Sequence, residues 1–224
     1  MSTLLGIFAK HWTPGRVKTR LAEAIGDARA AEVHRLFVTA IAQRMGAASD
    51  ERILAIDPPE SEHEFGRALG DSWQVEPQAA GDLGERMAAF FAGGLARAGL
   101  VVLIGSDSPD LPADYIADAF EALREVDVVL GPAADGGYYL VGAARSVPPI
   151  FTGISWSTAD VWPQTVRRLT QAGCQWRSLP QWYDVDTFDD LRQLRFRLKD
   201  ASSADRSLHA LACRLSELFA DSPP

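Results

Sequence analysis

The stretch LVVLIGSDSP, residues 100–109, decides the fold of this chain. Its first five residues are all apolar, which is typical of a strand covered on both faces, as in a parallel sheet. A polar turn follows at once, and Pro112 then stands at the start of a predicted helix. A buried strand that leads through a polar turn into a helix is the building unit of an α/β protein.

The same alternation extends toward both ends of the chain and predicts a three-layer α/β fold with a mostly parallel central sheet. Leucines near heptad spacing predict a C-terminal helix at about 204–220, which either covers the core, the favoured reading, or forms a dimer seam. No linker or repeat interrupts the chain, so we expect a single domain, residues 1–224, that is a monomer or a homodimer. The other predicted strands cover 4–8, 52–56, 127–130 and 138–141, and the predicted helices cover 28–45, 83–98 and 112–123.

Composition narrows the classes of function. The 224 residues include 22 basic and 30 acidic side chains, and the resulting net charge of −8 argues against a partner that is nucleic acid or an anionic membrane. The two cysteines, Cys174 and Cys213, stand apart and fit a reducing compartment. Neither a signal peptide nor a membrane-spanning stretch is evident, so we expect a cytoplasmic protein.

The first 22 residues carry no acidic side chain although the whole chain is acidic. Ligands of open α/β sheets lie beyond the carboxyl ends of the strands, and this basic segment follows the first predicted strand. Such a loop suits a diphosphate or triphosphate, although a solvated basic loop is an equal alternative. The cations are Lys10, Arg16, Lys18 and Arg20, placed around Pro14 and Gly15.

Acidic residues follow the apolar strand at 100–104. A carboxylate at a strand end can hold a hard divalent cation whose other positions take water and phosphate oxygens, so Asp107 is a candidate ligand for Mg²⁺ or Mn²⁺. We interpret Asp110 as the N-cap of the following helix. Asp107 lies too early in the chain to cap that helix.

A second acidic segment, YDVDTFDDL, covers residues 183–191. If it is extended, Asp184 and Asp186 point to opposite faces, so at most one of them shares a site with Asp107. Thr187, with Asp189 and Asp190 behind it, is typical of a helix N-terminus.

Two glycine-bearing loops complete the pattern. In GDLGERM, residues 81–87, Asp82 and Glu85 have the spacing of a capping box. In ADGGYYLVG, residues 134–142, the glycines permit either close approach of a ligand or a tight turn. Asp135 is a candidate general base, although a structural role in the turn is the more common one.

Other chemistries lack their motifs. The sequence has no phosphate-binding G-x-x-x-x-G-K-[ST] loop, no G-x-G-x-x-G after the first strand and no G-x-S-x-G elbow. Metal-assisted transfer of a nucleotide or sugar group is the chemistry that the remaining residues fit.

Taken in order, six motifs resemble one family. They are FAKHWTPGRVKTRLA, QAAGDLGERM, GSDSPDLP, ADGGYYLVG, FTGISWST and DVDTFDDL, which lie between about residues 4 and 192. The resemblance is to the glycosyltransferase-A-like bacterial proteins of formerly unknown function, described as arsenosugar-biosynthesis or radical-SAM/selenodomain-associated glycosyltransferases. That family is similar to the molybdenum-cofactor and phospholactate nucleotidyltransferases. Trp12 departs from the family, which usually has proline there.

The resemblance implies a Rossmann-like nucleotide-diphospho-sugar transferase fold with Asp107 as metal ligand and Asp186 as the better second ligand. It also implies a nucleotide sugar or nucleoside triphosphate as donor and a small molecule as acceptor. Glycosyl transfer from a nucleotide sugar is the main hypothesis, nucleotidyl transfer with release of pyrophosphate the alternative, and a non-catalytic nucleotide-binding module a second alternative. The site residues so expected are Asp107 and Asp135 for catalysis; Lys10, Gly15, Arg16, Lys18, Arg20, Gly81 and Gly84 for the donor; and Gly136, Gly137 and Tyr138 for the acceptor.

Overall fold

The computed structural model describes residues 1–201 and 205–220. Within them, the chain forms seven strands and eight α-helices, with short 3₁₀ turns at Pro59–Ser61 and Gly70–Ser72. The strands are β1 (Thr3–Lys10), β2 (Glu51–Asp57), β3 (Gln74–Pro77), β4 (Leu100–Gly105), β5 (Val128–Pro132), β6 (Tyr138–Ala144) and β7 (Trp176–Ser178). The helices are α1 (Thr19–Ile25), α2 (Asp27–Arg44), α3 (Glu62–Leu69), α4 (Leu83–Leu95), α5 (Ala113–Ala122), α6 (Val161–Gln171), α7 (Phe188–Ala201) and α8 (Arg206–Leu218).

All seven strands form one sheet in the order β3-β2-β1-β4-β6-β5-β7. Every neighbouring pair is parallel except β4·β6 and β5·β6, so β6 alone runs against the others. The chain builds outward from β1 through β2 to β3, and β4 then pairs with the other side of β1. The strand order reverses between β1 and β4, and ligands of open α/β sheets bind at such a point.

Apolar residues bury both faces of the sheet. Successive residues of β1 alternate between the faces: Leu5 and Ile7 join the cluster beneath α2, α3 and α5, whereas Leu4 joins the cluster beneath α4 and α6. The predicted three-layer α/β architecture with a mostly parallel sheet is therefore confirmed.

A third apolar cluster lies outside the sheet and joins α1, α2, α7 and α8. Leu208, Leu211 and Leu215 of α8 are buried in it, so the leucine stripe packs against the core, which is the favoured of the two predictions. Asp205 caps α8 by accepting hydrogen bonds from the backbone N–H groups of Ser207 and Leu208.

Five elements were missed by the sequence prediction: β3, β7, α1, α3 and α6. The strands β3 and β7 are only four and three residues long, lie at the two edges of the sheet and carry no buried residue, so they lack the apolar run that marks β4. No helix in the described part of the chain is long and apolar enough to cross a lipid bilayer.

Candidate functional site

A cleft of 630 Å³ opens at the carboxyl ends of β1, β2 and β4, where the strand order reverses. Phe8, Lys10, Gly105 and Asp107 bring the ends of β1 and β4 into its wall. The loop before α1 contributes a basic wall, and the segment before α7 contributes one acidic residue. The residues predicted from sequence that line it are Lys10, Arg16, Lys18, Gly81, Asp107 and Asp186.

Lys18 lies at the centre of the polar groups in this cleft. Its Nζ is 2.7 Å from Asp107 Oδ1, 3.0 Å from Asp186 Oδ1 and 2.7 Å from the carbonyl oxygen of Val185. Three acceptors thus face the three N–H donors of the ammonium, and the side chain is only 2% exposed. Burial disfavours the charged ammonium, but the two carboxylates outweigh that effect and raise the pKa of Lys18 above its usual range.

The backbone of Lys18 is left-handed, with φ 49° and ψ 43°, a conformation that costs a non-glycine residue about 1 kcal/mol. Lys18 occupies the N-cap position of α1, directly before that helix. The sequence predicted Lys18 as a phosphate ligand. In the structure its ammonium binds the two predicted metal ligands, and its contact with a donor stays a prediction.

Asp107 follows β4 directly and is 42% exposed toward the cleft. Burial of its inner part opposes ionisation, but the Lys18 charge outweighs that effect and holds the pKa of the Asp107 carboxyl below its usual range. Asp107 is therefore a carboxylate at neutral pH.

His34 of α2 lies behind Asp107. Its Nε2 is 2.9 Å from the carbonyl oxygen of Lys10, and its Nδ1 is 3.7 Å from Asp107 Oδ1. Burial lowers the pKa of His34, so the ring is neutral and donates from Nε2 to the carbonyl.

The segment that carries Asp184 and Asp186 is fastened to the turn after β4. The backbone N–H of Val185 donates to the carbonyl of Asp107 at 3.0 Å, and Ser108 Oγ donates to Asp184 Oδ1 at 2.6 Å. Asp186 shares Lys18 with Asp107, whereas Asp184 binds Ser108. Burial, and then the charge of Asp107, raise the pKa of Asp184 to about 6.

The expectation of two opposed faces presumed a regular strand at 183–187, and the structure has none there. Asp184 and Asp186 therefore make different contacts while both remain within electrostatic reach of Asp107. Asp186 is the one whose ion pair joins it directly to the Lys18–Asp107 pair, and its side chain is 29% exposed.

The prediction that Asp110 caps the helix at Pro112 is wrong. Pro112 occupies the N-cap position of α5, and no side chain caps that helix. Asp110 instead accepts a hydrogen bond from the Tyr183 hydroxyl and pairs with Arg197 Nε at 3.1 Å. The Arg197 guanidinium lies 3.8 Å from the centre of the Tyr183 ring. A buried carboxylate needs such partners, so Asp110 binds the 183–186 segment to the turn after β4.

Three residues predicted to bind the donor lie outside the lining of the cleft. Arg20 is exposed and pairs with Asp186, which orients that carboxylate from outside the cleft. Gly15 has φ 74° in the basic loop, and Gly84 is buried so closely that a Cβ would lie 2.1 Å from the carbonyl oxygen of Phe151. Arg20, Gly15 and Gly84 do not line the cleft.

The predicted acceptor residues lie beside the cleft rather than in it. Asp135 Oδ1 accepts from the backbone N–H of Gly137 at 3.0 Å within an exposed turn, and Gly136 packs against the backbone of Ala159. Among these residues, Tyr138 lines a smaller cavity of 130 Å³ that adjoins the cleft at Phe8, Leu83 and Gly105. The structure therefore does not bring Asp135 to Asp107.

Several cleft residues escaped the sequence prediction. His34, Asp57, Gln78, Arg86 and Ser157 line the cleft with the predicted residues. Asp57 could have been found because it ends the predicted strand at 52–56, but Gln78 follows a strand that the pattern did not reveal. Trp12 packs against Phe65 at 4.7 Å between ring centres and does not line the cleft.

The carboxylates of the cleft are few. Among the described residues, no group of three or more His, Cys, Asp or Glu side chains is arranged to hold a metal ion. Asp107 and Asp186 offer hard oxygen ligands, and Mg²⁺ typically takes one or two carboxylates with waters and substrate phosphates. Asp107 and Asp186 therefore suit a divalent cation whose other ligands are water and the phosphate oxygens of a bound substrate.

Comparison with solved structures defines the class of protein. The chain is 36% identical to the "putative nucleotide-diphospho-sugar transferase" of Desulfovibrio desulfuricans G20, over 98% of both chains, with a TM-score of 0.85. CMP:2-keto-3-deoxy-manno-octonic acid synthetase in complex with CTP matches at 14% identity over 90% of this chain and 100% of its own, with a TM-score of 0.57. Rv0371c of Mycobacterium tuberculosis H37Rv, in complex with manganese, matches at 20% identity over 86% and 97%, with a TM-score of 0.50. The fold is that of the nucleotide-diphospho-sugar transferase class of enzymes.

Within that class, the chain belongs to the bacterial family described as "Uncharacterized protein conserved in bacteria (DUF2064)", whose model matches residues 40–158. Among curated protein sequences, none matches this chain. The resemblance drawn from the six motifs is confirmed, as is the transferase class that it implied.

Proposed function

We propose that this protein is a Mg²⁺-dependent glycosyltransferase that moves a sugar from a nucleotide-diphosphate donor to the hydroxyl of a small acceptor. One observation carries the proposal: cations of the basic loop and the carboxylates Asp107 and Asp186 meet in one cleft at the reversal of strand order. The similarity to the Desulfovibrio protein supports transfer of a sugar in particular.

Lys10 and Arg16 would bind the diphosphate of the donor. Both line the cleft, and the planar guanidinium of Arg16 suits two phosphate oxygens while Lys10 supplies a compact charge. Their charge stabilises the negative charge that grows on the diphosphate as the sugar leaves.

Asp107 and Asp186 would hold Mg²⁺ or Mn²⁺, which supplies further neutralisation of the phosphate oxygens. Lys18 and Arg20 keep these carboxylates in place, and Asp110 fixes the segment that bears Asp186. Lys18 thus acts here mainly as a positioning residue.

In the transfer, the acceptor oxygen forms a bond to the anomeric carbon, and the bond from that carbon to the β-phosphate oxygen breaks. The nucleoside diphosphate leaves with the electron pair, and the acceptor proton passes to the released diphosphate. We further propose that Asp135 and Tyr138 contact the acceptor, Tyr138 from the smaller cavity that adjoins the cleft.

The cleft draws on residues from 8 to 186, and these contacts support the proposal that residues 1–224 act as one domain.

Calorimetry with nucleotide sugars in the presence of Mn²⁺ tests the proposal. We expect binding by the natural protein, loss of at least about tenfold in affinity for Asp107→Asn, and no loss for Asp189→Asn, which changes a carboxylate that is 82% exposed on α7. Transfer is then followed as release of nucleoside diphosphate. Release of pyrophosphate from a nucleoside triphosphate would instead establish nucleotidyl transfer, and equal binding by Asp107→Asn would refute the site.

A further inference from the structure

Asp57, Gln78 and Arg86 form a polar group in the cleft that the phosphate and metal chemistry does not use. Arg86 Nη1 lies 3.0 Å from Asp57 Oδ2 and donates to Gln78 Oε1 at 3.1 Å, while its Nε donates to the carbonyl of Gly81 at 3.0 Å. Gln78 is itself fixed by donating from Nε2 to the carbonyl of Ala55 at 2.9 Å. The group is therefore rigid before any ligand arrives.

This polar group lies about as far from the phosphate end of the cleft as the base of a nucleotide lies from its phosphates. Asp57 ends β2 and Gln78 follows β3, and these strands lie two and three places along the sheet from β4, which carries Asp107. Neighbouring strands are about 4.8 Å apart, so the end of β2 at Asp57 lies roughly 10 Å from the end of β4, which Asp107 follows. A ribose with two phosphates spans a distance of that order and would bring the base to Asp57.

The same end of the cleft has an apolar surface for the face of a base. Leu83 lines the cleft, is 43% exposed and stands three residues before Arg86 on α4, so the two side chains share a helix face. Leu83 would pack against the face of the base, and the fixed guanidinium of Arg86 would lie at the edge of the base.

The carboxylate of Asp57 indicates which hydrogen-bonding edge of a base would fit beside it. Arg86 pairs with Oδ2 of Asp57, and the Asp57 side chain is 32% exposed in the lining of the cleft, so its carboxylate can accept hydrogen bonds from a ligand. A carboxylate accepts two hydrogen bonds side by side, and guanine is the base whose pairing edge presents two adjacent donors, N1–H and N2–H, next to an acceptor, O6. Uracil presents a single N–H between two carbonyls, so it can donate only one hydrogen bond to a carboxylate, and its flanking carbonyl oxygens cannot donate to the second carboxylate oxygen.

We propose that Asp57, held by Arg86 and Gln78, recognises the base of the donor and selects guanine. This inference rests on the proposed function, because it presumes that the diphosphate lies at the other end of the cleft. It names the donor class: a guanosine-diphosphate sugar.

The test measures binding of GDP, UDP, CDP, ADP and xanthosine diphosphate by calorimetry with Mn²⁺. The natural protein is expected to bind GDP at least about tenfold more tightly than the others, the smaller end of what a two-bond base contact provides. In Asp57→Asn the amide offers a donor where guanine also has one, so GDP should lose about tenfold while xanthosine diphosphate, whose O2 accepts, gains.

The control is Asp71→Asn, an exposed carboxylate in the turn before β3, which should leave the ranking unchanged. Equal affinity for GDP and UDP in the natural protein overturns the inference and leaves the proposed function standing. An equal loss for all five nucleotides in Asp57→Asn also overturns it, because the residue would then only support the fold. Binding of none of these five, and of no thymidine diphosphate either, refutes the proposed function and this inference together.

Discussion

Replacement of Lys18 by methionine isolates the contribution of the ammonium at the centre of the cleft. Methionine keeps the length and the unbranched shape of the side chain, and it inherits the left-handed backbone at φ 49°, so the strain of that conformation is nearly equal in both proteins. The change then removes one positive charge and leaves Asp107, Asp186 and the carbonyl of Val185 without their common donor.

The size of the effect follows from the exposure of the partners. Loss of one partner from a fully buried ion pair costs about 3–5 kcal/mol. Here Lys18 is 2% exposed, but Asp107 and Asp186 are 42% and 29% exposed and regain water when the ammonium is lost. We therefore expect the free energy of unfolding to fall by about 2–3 kcal/mol at pH 7. For a chain of this length that is a drop of about 5–10 °C in Tm.

The loss of stability in Lys18→Met should depend on pH. Lys18 holds the pKa of Asp107 below its unfolded value, so the stabilisation from this pair is complete above about pH 4 and is lost as the pH falls through the folded pKa. The difference between the natural protein and Lys18→Met should therefore shrink between pH 7 and pH 3.

The assay is urea unfolding followed by circular dichroism in EDTA, which keeps metal from replacing the ammonium. Lys10→Met is the matched control, because Lys10 lines the same cleft but is exposed at the end of β1, and it should change stability by less than about 0.5 kcal/mol. A Lys18→Met protein as stable as this control, or a deficit that stays constant down to pH 3, would refute the reasoning.

Three further predictions concern stability, each measured by chemical denaturation. Gly84→Ala should cost about 2 kcal/mol or more because its Cβ would meet the Phe151 carbonyl, whereas Gly66→Ala in α3, with open space around it, should gain about 0.5–1 kcal/mol; equal effects would contradict this packing. Asp205→Ala should cost about 1–2 kcal/mol by removing the cap of α8 and the ion pair with Arg44, and Asp205→Asn should keep the cap and lose less; the reverse order would argue against the cap. Because the folded pKa of Asp184 is about 6, above its unfolded value, Asp184→Asn in EDTA should stabilise the protein by about 1–2 kcal/mol at pH 8 and not at pH 4; a gain that does not change with pH would count against the buried charge.

The sequence predicted the interior of the sheet better than its edges. Strands such as β4 are apolar at every buried position and need no tertiary information to be recognised. The edge strands β3 and β7 are stabilised by pairing with β2 and β5, which the local pattern does not contain. The helix α1 was hidden because it begins inside the basic loop and buries only Leu21.

The members of the candidate site could be predicted singly, but their contacts could not. Composition and position marked Lys18, Asp107 and Asp186, and chain folding then made one lysine the partner of both carboxylates. The position of Asp110 two residues before Pro112 predicted a helix cap. Its partners are instead Tyr183 and Arg197, which lie more than 70 residues away in the sequence and which the local pattern could not indicate.

The pairing of Lys18 with Asp186 joins residues 168 positions apart. During synthesis the basic loop that carries Lys18 leaves the ribosome early, and Asp186 is made only after most of the chain. The strands β1, β2 and β4 all precede residue 106, so they are available for pairing before Asp186 is made. A chain that stops short of residue 186 would leave Arg20 without its carboxylate partner and Lys18 with Asp107 alone.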